Sequence, residues 1–143
     1  MLGILYPLLA GILISLQTVF NARVSEKIGL WETTTIIHVI GLILVTVITL
    51  IWGQGSFGKL AEVNKLHLLG GVFGVFIVFS IAKGASLLGV SLSISVLLIS
   101  QLVMAAIIDT FGLFGAKQIT FDYTKPLGIL IMIAGIIIFK IKG

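Results

Sequence analysis

The sequence predicts an all-α integral membrane protein that crosses the bilayer five times, with almost no soluble domain. Three observations carry this. Of the 143 residues, 59% are hydrophobic and 10% charged, against roughly 25% charged in a water-soluble domain. The mean hydropathy is +1.29, so a surface of average composition could not be made in water. The apolar residues also fall into five long runs, each near the roughly 20 residues that a spanning helix needs, and not into the alternation of barrel strands.

The runs extend from about Leu2 to Phe20, Thr34 to Trp52, Leu66 to Ala82, Leu87 to Ile108 and Leu127 to Ile141. Backbone polar groups in hydrocarbon must be satisfied within the segment, so each run is read as a helix. The first begins at Met1 with no basic stretch before it, and is expected to be a retained span and not a cleaved signal. Asn21 to Lys27 reads as the first link, Gly53 to Lys65 as the second, Lys83-Gly84-Ala85-Ser86 as a tight third, and Gly112 to Lys125 as the fourth. Pro126 is suited to the first turn of the last helix. Trp31, Trp52 and Tyr123 stand at run edges, where aromatic side chains meet the headgroups. Residues 1–143 form one transmembrane domain on this reading.

The nine Lys and Arg residues give a net charge of +4. They are scattered singly and form no basic stripe with interleaved aromatics, so they read as topology and lipid contacts, with no nucleic-acid partner. Five spans put Lys59, Lys65, Lys117 and Lys125 on one side, and Arg23, Lys27, Lys83, Lys140 and Lys142 on the other. Orientation follows the bias in this count. Four against five is nearly no bias, which suggests insertion both ways round and pairing as an antiparallel homodimer. The alternative is one orientation set by a dominant helix or a partner.

Certain segments resemble a known family. These are Gly70-Gly71-Val72-Phe73-Gly74-Val75-Phe76-Ile77-Val78-Phe79, then Gly89-Val90-Ser91-Leu92-Ser93-Ile94-Ser95-Val96-Leu97-Leu98, then Ser100-Gln101-Leu102 and Asp109-Thr110-Phe111, with Gln17 and Asn21 in the first helix. Together they resemble the five-helix YdcZ-type exporters of bacterial inner membranes, in the drug/metabolite transporter superfamily. The resemblance implies one half of an inverted repeat, completed by a second copy or by a paralogue of opposite orientation. Small multidrug exporters of that superfamily use a glutamate in the first helix. Here the first helix holds no carboxylate, so proton coupling of that kind is not implied.

Polar groups inside spans are the candidates for a substrate path. Gln17 and Asn21 are four apart and share one face of a helix. They are read either as path lining or as interhelical hydrogen bonds, with Asn21 a possible cap. His38 is the side chain type that changes charge near physiological pH; the plainer reading is an imidazole bonded to a backbone carbonyl. Ser95, Ser100 and Gln101 on the fourth helix complete the list, with close packing the default for the serines. Asp109 is the one carboxylate in or at the end of a span. It is expected in an ion pair with Lys117 or with Lys83 of an inverted partner, or else to act in coupling together with Lys83. Gly70 and Gly74 form a small-xxx-small pair for close helix contact. The chain has no cysteine and two distant histidines, so no metal site or cofactor is expected. It also lacks an acid–base pair or an activated nucleophile, so it is not read as an enzyme. The functional expectation is a transporter of a small solute, most simply an exporter, working by alternating access. The rivals are a passive small-ion channel and an accessory subunit of a larger membrane complex.

Overall fold

The computed structural model describes residues 2–119 and 122–141. Five α-helices account for nearly all of them: α1 (Leu2–Ile28), α2 (Leu30–Trp52), α3 (Leu69–Leu88), α4 (Val90–Phe111) and α5 (Thr124–Ile141). Short 3-10 turns at Phe57–Glu62 and Lys65–Leu68 precede α3. All five helices are long and apolar enough to cross a membrane. The protein is an all-α, multi-pass membrane protein.

The helices outrun the apolar segments at several ends. α1 continues through Asn21–Lys27, where a link was expected, and its 27 residues reach about 40 Å at about 1.5 Å per residue. The hydrocarbon is about 30 Å thick, so the last turns, with Arg23, Glu26 and Lys27, stand among the headgroups. Arg23 and Glu26 pair there at 3.4 Å. Asn21 lies well inside α1 and therefore caps nothing. Lys83–Ser86 is likewise helical, and the break after α3 comes at Gly89. Lys142 lies outside the described residues.

Two links consist of a single glycine. Gly29 joins α1 to α2 at φ 97°, ψ 159°, and Gly89 joins α3 to α4 at φ 80°, ψ 160°. This backbone region is open essentially to glycine alone. A Cβ on Gly29 would in addition strike the Glu32 carboxylate. The helix on the far side of each link starts from the glycine itself, since the Gly29 and Gly89 carbonyls accept from the amides of Thr33 and Ser93.

The chain divides into two compact units, with the boundary between Leu87 and Leu88. In the first, α1 and α2 form a hairpin about Gly29. α3 runs antiparallel to α2: Trp31 stacks on Phe79 at 4.2 Å, and His38, two turns further along α2, meets the earlier Gly74. The buried residues of this unit are Thr18, Asn21, Ala22, Thr33, Thr34, Ala82 and Ala85. All lie in the helix halves nearest the Gly29 link. None is a large apolar residue, as expected where lipid, not water, is the outer solvent and close approach drives packing.

In the second unit α4 and α5 form an antiparallel hairpin. The left-handed Gly112 (φ 60°, ψ 35°) ends α4. The link then folds back on that end: the amide of Ile119 donates to the Asp109 carbonyl (2.8 Å) and Gln118 Nε2 to that of Thr110 (3.0 Å). The last carbonyls of the helix, which would otherwise face the interface unpaired, are thereby satisfied.

Gly89→Ala isolates the backbone term, since its added Cβ would meet nothing within 4 Å. It is expected to lower the stability of the detergent-purified protein by about 1–3 kcal/mol. The loop substitution Gly55→Ala, equally open and without a positive φ, should leave the thermal midpoint where it is. Equal midpoints for the two variants would remove the backbone argument.

Candidate functional site

Several hydroxyl groups inside the spans are satisfied by a backbone carbonyl three or four residues back. Thr18 donates to the Ile14 carbonyl (2.7 Å), Thr33 to Gly29 (2.6 Å) and Thr34 to Leu30 (2.8 Å). Ser95 donates to Ser91 (2.8 Å), and Ser100 to both Val96 and Leu97 (3.0 and 2.9 Å). A hydroxyl four residues after a carbonyl can do this without leaving its rotamer. These groups therefore need no solute to tolerate lipid.

Asn21 differs. It is 6% exposed, yet its carboxamide makes no hydrogen bond among the described residues, and no fully enclosed polar atom is left unpartnered. Its polar edge consequently reaches open space. That space is a groove of about 550 Å³ along α1 and α2, lined by Leu13, Gln17, Phe20 and Ile37 and reaching Ala10. Asn21 stands eight residues before Gly29 and Ile37 eight after, so they face each other across the hairpin. From Asn21 to Ala10 the groove covers eleven residues, about 16 Å along the helix. Gln17 is exposed one turn deeper. No ionisable side chain lines this groove. Two carboxamides on apolar walls can exchange donor and acceptor bonds with a polar group and supply no compensating charge to an ion.

His38 belongs to a different face. Its Nδ1 lies 2.8 Å from the Thr34 carbonyl, which can only accept, so Nδ1 carries the hydrogen. Nε2 is turned to α3, where a Cβ on Gly74 would lie 3.8 Å away. His38 and Gly74 thus neighbour each other between α2 and α3, at ordinary contact distance. Gly70 has no such neighbour, because a Cβ there would meet nothing within 4 Å. The Trp31–Phe79 stack one step toward the link closes this face. Reading Trp31 as an edge aromatic did not disclose that partner, though it is also 53% exposed.

The remaining candidates lie elsewhere. Gln101 on α4 is exposed, and Ser93, not singled out by the sequence, is the buried serine of that helix. Lys83 is exposed on α3. Asp109 is half-buried and forms no ion pair with Lys117; Arg23–Glu26 is the one ion pair among the described residues. Asp109 shares a cleft with Lys125, a residue the sequence reading placed in a loop. Of the predicted path residues, then, Gln17 and Asn21 share one groove, His38 faces α3, and Ser95, Ser100 and Gln101 belong to the second unit.

Comparison with known proteins bears on what such a five-span chain does. Residues 2–138 match the family described as "Putative inner membrane exporter, YdcZ". The chain belongs to this family. The match takes in all five helices except the last residues of α5, so both units are part of it. No curated protein and no solved structure matches the chain.

The unpartnered carboxamide generates a test. Asn21→Leu keeps the branching at Cγ, adds some volume toward the open groove, and removes a polar group that the fold leaves unsatisfied, which costs about 1–3 kcal/mol when buried. The variant is expected to melt at the same temperature as the parent or higher. Thr34→Val, which deletes a satisfied buried hydroxyl of the same unit, should not gain stability. A clear loss on Asn21→Leu would mean that the amide has a partner within the fold.

Proposed function

We propose that this exporter-family protein carries a small, uncharged, amphipathic solute outward across an inner membrane, as an antiparallel dual-topology homodimer working by alternating access. The observation that carries the proposal is the α1–α2 groove, with its buried, unpartnered Asn21 and with Gln17 below it.

The length of the groove supports a dimer. It runs about 16 Å inward from the headgroup end of α1, close to half of a hydrocarbon layer about 30 Å thick. One copy therefore offers a path to the middle of the bilayer and no further. An inverted copy brings a second half-path from the other side, and the two meet at the midplane, where transporter sites between inverted repeats lie. The nearly balanced lysine count, four against five, allows one sequence to supply both orientations. Alternating access then consists of opening one half-path while the other closes. The solute exchanges water for Asn21 at the entrance and for Gln17 deeper in. The charge-free lining favours a solute that is neutral over one that must leave its charge uncompensated in hydrocarbon.

The test is topology. The chain has no cysteine, so Ser56→Cys and Gly143→Cys, on expected opposite sides, report separately in intact cells treated with a membrane-impermeant thiol reagent. Comparable partial labelling at both positions is the expected result. Full labelling at one and none at the other would overturn the homodimer and leave an oppositely oriented partner as the requirement.

A further inference from the structure

The α4–α5 hairpin holds a pair of opposite charges that the groove does not use. Asp109 is two residues from the end of α4, and Lys125 is the second residue of α5. Both are half-buried and both line one open cleft of about 440 Å³. No ion pair joins them, and neither side chain makes a hydrogen bond among the described residues. Lys117 does not reach Asp109 either.

The cleft has the form of a mouth and a slot. Its charged mouth lies at the interface end of the hairpin. Below it, the lining passes the small residues Ala105 and Gly128 and reaches Leu102 and Met132, each seven residues deeper on its helix, or about 10 Å. A Cβ on Gly128 would meet nothing within 4 Å, so the slot is open at that level.

We propose that this cleft is a binding site for a zwitterionic phospholipid with a primary-amine headgroup. The ammonium bonds to the Asp109 carboxylate, the phosphate to the Lys125 ammonium, and one acyl chain lies in the slot. Charge complementarity selects the headgroup. An anionic lipid would satisfy Lys125 and set a second negative charge beside Asp109. A choline lipid carries the positive charge but has no N–H to donate to the carboxylate, and so forfeits a charge-assisted hydrogen bond. A free zwitterion such as an amino acid would fit the mouth and leave about 10 Å of apolar slot unfilled.

The test is lipid retention by the full-length protein in detergent, read by native mass spectrometry. The probes are phosphatidylethanolamine, phosphatidylcholine and phosphatidylglycerol of identical chains. The ethanolamine lipid is expected to be retained about tenfold over the other two, the worth of one charge-assisted bond. Asp109→Asn should abolish that preference, and Lys125→Gln should lower retention of both phosphate zwitterions. Gly128→Leu leaves both charges in place and fills the slot, and should reduce retention of the ethanolamine lipid about tenfold. Equal retention of the three lipids, an Asp109→Asn variant that keeps the preference, or a Gly128→Leu variant that binds as before would each overturn the proposal. Displacement of the lipid by equimolar free phosphoethanolamine would overturn it in favour of a soluble zwitterion. Because the site lies wholly within α4 and α5, these outcomes are independent of the α1–α2 path and of the orientation of the chain.

Discussion

Hydrocarbon offers no hydrogen bond, and this structure is organised by that fact. A backbone amide or carbonyl in the bilayer core must be satisfied by its own segment, so the spans are helices and their links are short. Single glycines at 29 and 89 carry the chain from one helix to the next, each carbonyl accepting the first bond of the helix it introduces. At the end of α4, where the link is longer, the chain folds back so that Ile119 and Gln118 occupy the last carbonyls. The same demand reaches the side chains. Thr18, Thr33, Thr34, Ser95 and Ser100 all turn to a carbonyl of their own helix. Among the buried polar residues of the first unit, Asn21 is the one whose side chain makes no such bond among the described residues.

The interior follows from the same solvent. In water the core would collect leucine and phenylalanine; here those residues face outward and the buried positions hold alanine, threonine and asparagine. Lipid is as apolar as a leucine side chain, so hiding leucine inside gains nothing. What small residues contribute is close approach and dispersion contact between helices. The buried set lies toward the Gly29 end of α1, α2 and α3, where the hairpin holds the helices together covalently as well.

Hydropathy made the number of spans legible and misplaced their ends for one reason. It reports where hydrocarbon gives way to headgroups, whereas the helix ends where the backbone changes conformation. α1 passes that boundary at about Asn21 and stays helical through the charged turn holding Arg23 and Glu26, until Gly29 leaves the helical region. Lys83 is charged and yet sits inside α3 for the same reason. Gln17 and Asn21 were legible as a pair from their spacing, and the groove that joins them is there. The sequence could not say that Asn21 is buried and Gln17 exposed, because that depends on the angle at which α2 crosses behind them. Nor could it separate His38 from that groove: the imidazole faces Gly74 on α3, a contact between residues 36 positions apart. Lys125 was hidden by its own charge. It marked a link in the sequence, whereas Thr124 and Pro126 place it in the first turn of α5.

The contrast between Asn21 and the hydroxyls beside it is the strongest reason to assign the groove a function. If the position served packing alone, threonine would fill much of the volume and satisfy itself, as Thr18 and Thr34 do on either side of the same link. Leucine would fill it with no polar group at all. Asparagine does neither here, since its carboxamide makes no bond to a carbonyl of its own helix among the described residues. It holds two donors and an acceptor at the edge of an apolar groove, at a cost of about 1–3 kcal/mol while they are unmet. At that open edge the amide is available to water, to a headgroup or to the proposed solute. A permanent occupant would make Asn21 a structural residue. On the proposed reading the occupant comes and goes, and the groove around Asn21 is open and lined by no charge.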